Sequence, residues 1–488
     1  MPQLHLTSFN IACSVFGGFF LIFNLVSSVL KDHLYLSDSL NATVIGIALG
    51  PLAARLIRPY DYGKPFPILI EFARLLLGVQ LVLTGIQLPK RYIRDNWWSL
   101  SMLLVPVMTV SWLISSTILY LLIPDFHYLH AMILGACLTP TDPILSNAVI
   151  VGKYARQHTP QHTRLIISAE SGANDGFGYP YLYLALYLTD YPTGRAIGVW
   201  FYEAWAYTIL LSVVYGVLVA WLGQYLLRKA AEKQFADIEG ISVFGIVLAV
   251  FLIGTCGLLG IDDLLACFAA GNVFTWNDWF RKITRDDSLQ TTMDYVLTAS
   301  FFAYYGATLP WPDFDLEHVP FWRFFVSGIL VLVFKRIPPL IAFYKAIPAV
   351  RKFKEALFVG HFGPVGVGAI YYAGIALEHL HQKHGEDHIT DKLSRGDRRL
   401  LEILGPFVLF TVLLSVVIHG LSIPVFMLVK NIPIVYQKGP RRWLEHYWRP
   451  DVRMRLLEWK GSSSESDEEL GSKDGIGFES SSDSNPSL

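Results

Sequence analysis

The chain has 488 residues, of which 53% are hydrophobic and 16% charged, with a formal net charge of -1 and a mean hydropathy of +0.42. A soluble domain carries about 25% charged residues, so the composition excludes a soluble globular protein and reads as an all-α polytopic membrane protein. The balanced charge gives no sign of a nucleic-acid partner.

Apolar runs of spanning length, about 17–25 residues, recur thirteen times: 10–30, 41–57, 66–88, 99–123, 130–150, 163–189, 199–227, 240–258, 260–276, 291–309, 322–344, 354–378 and 400–429. The N-terminus MPQLHLTSFN lacks a basic n-region and a small-residue cleavage site, so the first run reads as a permanent span. The second, eighth and ninth runs are short or interrupted by glycine. Residues 1–430 thus form a transmembrane domain. A basic, aromatic juxtamembrane segment (431–460) and an acidic, Ser-rich tail with the composition of disorder (461–488) follow. With the N-terminus external, the cytoplasmic loops hold seventeen Lys and Arg against nine outside. The positive-inside rule favours that orientation and a cytoplasmic C-terminus. Cys13, Cys137, Cys256 and Cys267 all lie in apolar runs and read as small buried side chains. The Asn41-Ala42-Thr43 sequon falls on the cytoplasmic side in this orientation.

Charge inside the spans is the informative feature, because a charged side chain at bilayer depth costs about 3 kcal/mol even on insertion scales. Among these residues, in chain order, are Glu71 and Arg74, Asp142, Glu170 and Asp175, Asp262 and Asp263, Lys335 and Arg336, His361, and His419. Glu71 and Arg74 are three apart and suit a local pair. Asp262 and Asp263 open the ninth span, where an acid can cap a helix or attract a cation. His361 suits a hydrogen-bonded structural histidine or a pH-sensing group. His419 stands too isolated to interpret.

Two spans are interrupted. The fifth reads GACLTPTDPILSNAV, with Pro140 and Pro143 bracketing Asp142, and the twelfth reads ALFVGHFGPVGVGAIYYA, with four glycines and Pro364. Each alone is a kink as readily as a break. Each is the fifth span of a set of six, the sets being 1–6 and 8–13, and seven spans separate them. That parity makes them crossing, broken helices of two inverted repeats, the arrangement that marks a transporter's binding site. Amino ends of the half-helices carry partial positive charge and carboxyl ends partial negative charge. Asp142 can balance the first kind and a buried cation such as Arg336 the second.

The sixth span carries Glu170, Asn174 and Asp175 in IISAESGANDGFGYPYLYLALYL. Glu170 and Asp175 are five apart, about 140° around a helix, so they face different partners. Glu170 suits a pair with Arg336. Asp175 is left without a cation, and such a carboxylate binds a proton or a small hard cation but not both. Thr141 can offer oxygen to the same ion.

ESGANDG in the sixth span, TPTDP in the fifth and VGHFGPVGVGA in the twelfth resemble the sodium/proton exchangers of the cation:proton antiporter superfamily, and GHFGP and GIDDLL resemble its fungal plasma-membrane branch. The resemblance covers about residues 10–430. It implies about thirteen helices, a homodimer in the plasma membrane, and elevator-like alternating access. It implies export of Na+ and Li+, with K+ a further candidate, in exchange for H+, serving salt tolerance and pH and cation homeostasis. It implies Asp175 as the ion-binding carboxylate for Na+ or Li+, Asn174 as its neutral neighbour, Asp142 as the acid of the fifth helix, and Glu170–Arg336 as a buried ion pair. His361 matches the histidine of that branch. This twelfth span has HFGPVG where animal exchangers carry an arginine, and the tail is short for the branch. No enzyme activity or cofactor is implied; the partners are the transported ions and membrane lipids. A cation channel and an intramembrane hydrolase using Asp142 and Asp175 as a dyad are the competing functions. No GxxxxGK[ST] loop occurs to support ATP-driven transport.

Overall fold

A computed structural model describes residues 8–34, 36–150, 159–284, 288–384 and 394–438. The chain divides into residues 1–425 and 426–488; of the second part only the end of the last helix, to Lys438, is described. Of the expected juxtamembrane segment (431–460), residues 431–438 continue the last helix, and the rest of it and the acidic tail lie outside the described residues.

The described residues are almost wholly helical. Helices α1 (Ser8–Leu34), α2 (Asp38–Leu49), α3 (Pro65–Gln87) and α4 (Trp97–Leu122) come first. A broken helix follows, α5a (Tyr128–Leu138) and α5b (Pro143–Ile150). Helix α6 runs as Gln161–Phe177 and Tyr179–Asp190, stepping at Gly178. Then come α7 (Thr193–Glu232), α8 (Ile238–Leu259), α9 (Asp263–Phe274), α10 (Leu289–Thr308) and α11 (Phe321–Ala346). The second broken helix is α12a (Phe353–His361) and α12b (Val367–His384), and α13 (Arg395–Lys438) ends the set. Each of the thirteen sequence-predicted spans meets one of these helices. Six helices among the described residues are long and apolar enough to cross a membrane: α3, α4, α7, α8, α11 and the Arg395–Met427 part of α13. This is a polytopic membrane protein.

Three elements differ from the apolar runs that predict them. Helix α2 stops at Leu49, because Gly50-Pro51 turns the chain where Gly50 lies against the backbone of Ala307. Helix α9 has only 12 residues and is buried along most of its length. Helix α7 continues unbroken for 40 residues, about 60 Å at 1.5 Å per residue. Asn41 lies buried on α2, which closes the sequon to a glycan.

The inverted repeat shows in the packing. Without a hydrophobic force between helices in lipid, close backbone approach through small residues supplies the association. Gly46 of α2 faces the backbone of Ala303, and Gly306 of α10 faces that of Thr43. Gly85 of α3 likewise faces Gly271 of α9, and Gly271 faces the backbone of Val82. Helices α2 and α3 of the first repeat correspond to α9 and α10 of the second, so α2–α10 and α9–α3 are equivalent contacts. The same relation brings the breaks of α5 and α12 together.

Candidate ion-binding site

The site begins where proline and glycine stop two helices. Proline removes an amide donor and crowds the preceding turn, and α5 opens at residues 139–142 while α12 opens at 362–366. Backbone that leaves a helix in a membrane must find partners within the protein. Here each break satisfies the other. The Asp142 amide donates to the Pro364 carbonyl at 3.0 Å. The Asp142 carboxylate accepts the Leu145 amide at Oδ1, 2.9 Å away, and the Val367 amide at Oδ2. One carboxylate therefore caps the amino ends of both α5b and α12b, where half-helix dipoles concentrate positive charge. A side chain at Gly366 would occupy the place of that carboxylate.

The carboxyl ends are balanced from α11. Lys335 Nζ donates to the Leu138 carbonyl at 2.9 Å and the Pro140 carbonyl at 3.4 Å, at the end of α5a. Arg336 Nε donates to the Val359 carbonyl at 3.2 Å, in the last turn of α12a, and its Nη2 pairs with Glu170. Asp142, Glu170, Lys335 and Arg336 are all buried. Truncating one member of such a set strands the others' charge in a poorly solvated place.

Helix α6 supplies the remaining wall. Glu170 and Asn174 are four apart and share a face. The Asn174 Oδ1 accepts the Thr141 amide at 2.8 Å, and its Nδ2 donates to Thr141 Oγ1 at 2.9 Å and Glu170 Oε1 at 3.4 Å. Asn174 thus ties α6 to the α5 break with its amide. The next residue is different. Asp175 is fully buried, and neither carboxylate oxygen has a hydrogen-bond partner among the described residues. Gly368 of α12b lies against that carboxylate, and Tyr372 donates to the Asp175 carbonyl. An ionised carboxylate without donors in such a place requires a counter-charge, which a proton or a small cation supplies.

Asp262 and Asp263 form a second polar group at the start of α9. Asp262 is the N-cap: its Oδ1 accepts the Leu265 amide at 2.9 Å, while its buried Oδ2 has no partner among the described residues. Asp263 Oδ2 lies 2.5 Å from Arg74 Nε, and its Oδ1 accepts from the Tyr371 hydroxyl at 3.1 Å. The expected Glu71–Arg74 pair is secondary. Those groups are 3.7 Å apart, with Glu71 74% exposed, and Arg74 turns to the buried acid instead. His361 ends α12a with Nε2 2.8 Å from Ser422 Oγ, and hydrogen-bonds to none of the acids among the described residues.

Four contributors had no assigned role in the sequence: Lys335, Tyr371, Tyr372 and Ser422. For Lys335 the signal was its charge at membrane depth. For the tyrosines and the serine no sequence signal separates them from other residues of apolar helices.

Residues 19–429 match the family model of the sodium/hydrogen exchanger, transmembrane. A probable Na+/H+ antiporter of Schizosaccharomyces pombe is 36% identical over 88% of this chain and 57% of its own length. A Na+/H+ antiporter of Saccharomyces cerevisiae is 34% identical over 88% of this chain and 44% of its own. The chain spans about half the length of these two relatives. A second Schizosaccharomyces pombe Na+/H+ antiporter is 34% identical over 89% of this chain and 93% of its own length. The solved structure of the sodium proton antiporter MjNhaP1 from Methanocaldococcus jannaschii matches with a TM-score of 0.61 at 19% identity. It covers 85% of this chain and all of that one, a likeness of fold.

Proposed function

The chain belongs to the sodium/hydrogen exchanger family, and on that footing we propose that it exports Na+ and Li+ across the plasma membrane in exchange for H+, with K+ a further cargo. The observation that carries the reading is Asp175, buried with both oxygens unpartnered beside two interrupted helices. The charge balance around the crossing supports it. Glu170 cancels Arg336, and Asp142 and Lys335 cancel each other and the half-helix ends. Asp175 leaves one net negative charge. One monovalent cation or one proton neutralises that site, and the two exclude each other. Competition at a single carboxylate, exposed alternately to either side, is exchange.

Asp175 is the carrier, with Thr141 and Asn174 beside it as neutral oxygen sources. Asp142 holds the broken ends in place, and Glu170–Arg336 is structural. Asp262, with a spare buried oxygen, attracts cations toward the site, and Asp263 couples α9 to α12b through Tyr371. His361, bonded to Ser422, is a structural histidine at the end of α12a, with pH sensing as its second reading. The helices that carry the crossing move as a unit against α3, α9 and α10 in a homodimer, with the N-terminus external and the C-terminus cytoplasmic. The exchange serves salt tolerance and cation and pH homeostasis. An aspartyl dyad is disfavoured because both Asp142 oxygens are occupied by amide donors. A channel requires no such single competitive carboxylate.

The test is cation-driven proton flux in proteoliposomes with Na+, Li+ and K+. Wild-type protein should give saturable exchange without unitary currents, and Asp175→Asn should abolish it while folded protein is retained. Substantial residual exchange in Asp175→Asn, or channel-like currents, overturns the reading.

A further inference from the structure

The opened stretch of α12 is held from two sides, and only one of them is the ion site. Asp142 takes the Pro364 carbonyl and the Val367 amide from the side of α5. The Val365 amide and the His361 carbonyl turn the other way, toward α13. There the Val365 amide donates to Ser415 Oγ at 2.9 Å. Ser415 Oγ lies 3.1 Å from His419 Nδ1, and His419 Nε2 lies 3.0 Å from the His361 carbonyl. Ser415 and His419 are four residues apart, so one face of α13 presents both.

The chemistry of the partners fixes the proton on one ring nitrogen. A carbonyl oxygen only accepts, so His419 Nε2 carries a proton and donates to His361. Ser415 Oγ accepts the Val365 amide and has its own hydroxyl proton to give, which His419 Nδ1 can take. The result is a closed chain from the amide after Pro364, through Ser415 and His419, to the carbonyl that ends α12a. It spans the break. A proton on Nδ1 would instead face the Ser415 carbonyl, 2.8 Å away, and release the serine hydroxyl, so the chain is complete only with a neutral ring. His361 makes a neighbouring contact, donating from Nε2 to Ser422 Oγ, because the Ser422 hydroxyl itself donates to the Ile418 carbonyl at 2.7 Å.

We infer that Ser415 and His419 of α13 are positioning residues for the cation site: together they clamp both ends of the α12 break from behind and so set where its backbone lies against Asp142 and Asp175. The link forward is short. Val365 is two residues from Val367, whose amide caps Asp142, and three from Gly368, which lies against the Asp175 carboxylate. Shifting this backbone alters the space a cation has at Asp175, and Na+ and Li+ differ in size. The inference rests on the assignment of Asp175 as the carrier.

The experiment compares wild type, Ser415→Ala, His419→Ala and His419→Gln in proteoliposomes. It also reads the rise in melting temperature that Na+ or Li+ produces in detergent, a measure of binding that does not need transport. Ser415→Ala and His419→Ala should each raise the apparent KM for Na+ roughly fivefold, the worth of about one hydrogen bond. Both should change the Na+/Li+ ratio of KM. His419→Gln, whose amide can donate to the His361 carbonyl, should recover much of the loss. Unchanged cation affinity and Na+/Li+ ratio, with only less folded protein or a lower maximal rate, overturns the inference. If His419→Ala does not fold, Ser415→Ala and His419→Gln decide by the same criteria. Failure of the exchange reading is separate: wild type would then show no cation-dependent proton flux, and the thermal shifts still report on the clamp.

Discussion

Asp142 accepts the backbone amide of Val367 across the crossing of the two broken helices, while its other oxygen accepts the amide of Leu145 within its own chain segment. A carboxylate meets both donors; a carboxamide cannot, because its NH2 group would face one of them. Asp142→Asn should therefore cost about 1–3 kcal/mol of stability, the penalty of a buried unmatched donor, and cripple exchange by loosening the crossing. Melting temperature and Na+ affinity measured together check this. Wild-type values for both would remove Asp142 from the role.

Glu170 and Arg336 give a double-mutant test. Removing one partner of a buried ion pair strands the other at about 3–5 kcal/mol, although the intact pair adds little net stability. Glu170→Gln and Arg336→Met should each lower the melting temperature, and the double variant should recover part of the loss. Arg336→Met should give no rescue of Asp175→Asn. Simple additivity of the first two changes would mean that the pair is not energetically coupled.

Lys335→Met removes the cation that balances the end of α5a and leaves the site with two net negative charges in place of one. Cation should then bind more tightly and leave more slowly, so apparent KM for Na+ and maximal rate should fall together. A raised KM with an unchanged maximal rate would show that Lys335 acts by packing alone.

The ends of α6 and α12b meet outside the apolar spans, where Asp190 lies 2.7 Å from His379 Nε2 and 2.5 Å from Lys383 Nζ. Burial pushes the Asp190 carboxyl up, but the bonds and charges of Lys383 and His379 outweigh it and hold the group below the usual carboxylate range. A depressed carboxyl stabilises the fold above its unfolded value of about 3.9 and loses that contribution as pH falls through the depressed one. Asp190→Asn should lower the melting temperature by the equivalent of about 1 kcal/mol near neutral pH. The gap should close in acid. A gap independent of pH would show that packing, not charge, holds the contact.

Much of the architecture was written in residue order. Thirteen apolar runs locate the helices of the bundle, because hydrocarbon thickness sets the length of a spanning run. Pro140, Pro143 and the glycines of the twelfth span determine where two helices open, because proline and glycine act on their own backbone. The acids of the sixth span stand out in the sequence because a charge at bilayer depth is costly unless it finds a partner. Partners are another matter. Lys335 and Arg336 are adjacent in the chain, yet they serve different breaks, since they sit at the turn where α11 steps between Phe334 and Ile337 and the crossing decides which carbonyl each meets. Arg74 has Glu71 one turn away but binds Asp263, because the buried acid has no water to solvate it and the exposed one does. Asp175 was legible as a carboxylate without a cation in sequence, but only the packing of α6 against α12b removed every other donor from it. Local covalent chemistry determines helices and their breaks; the tertiary structure alone decides which buried charges are satisfied and which, like Asp175, are left without a donor among the described residues.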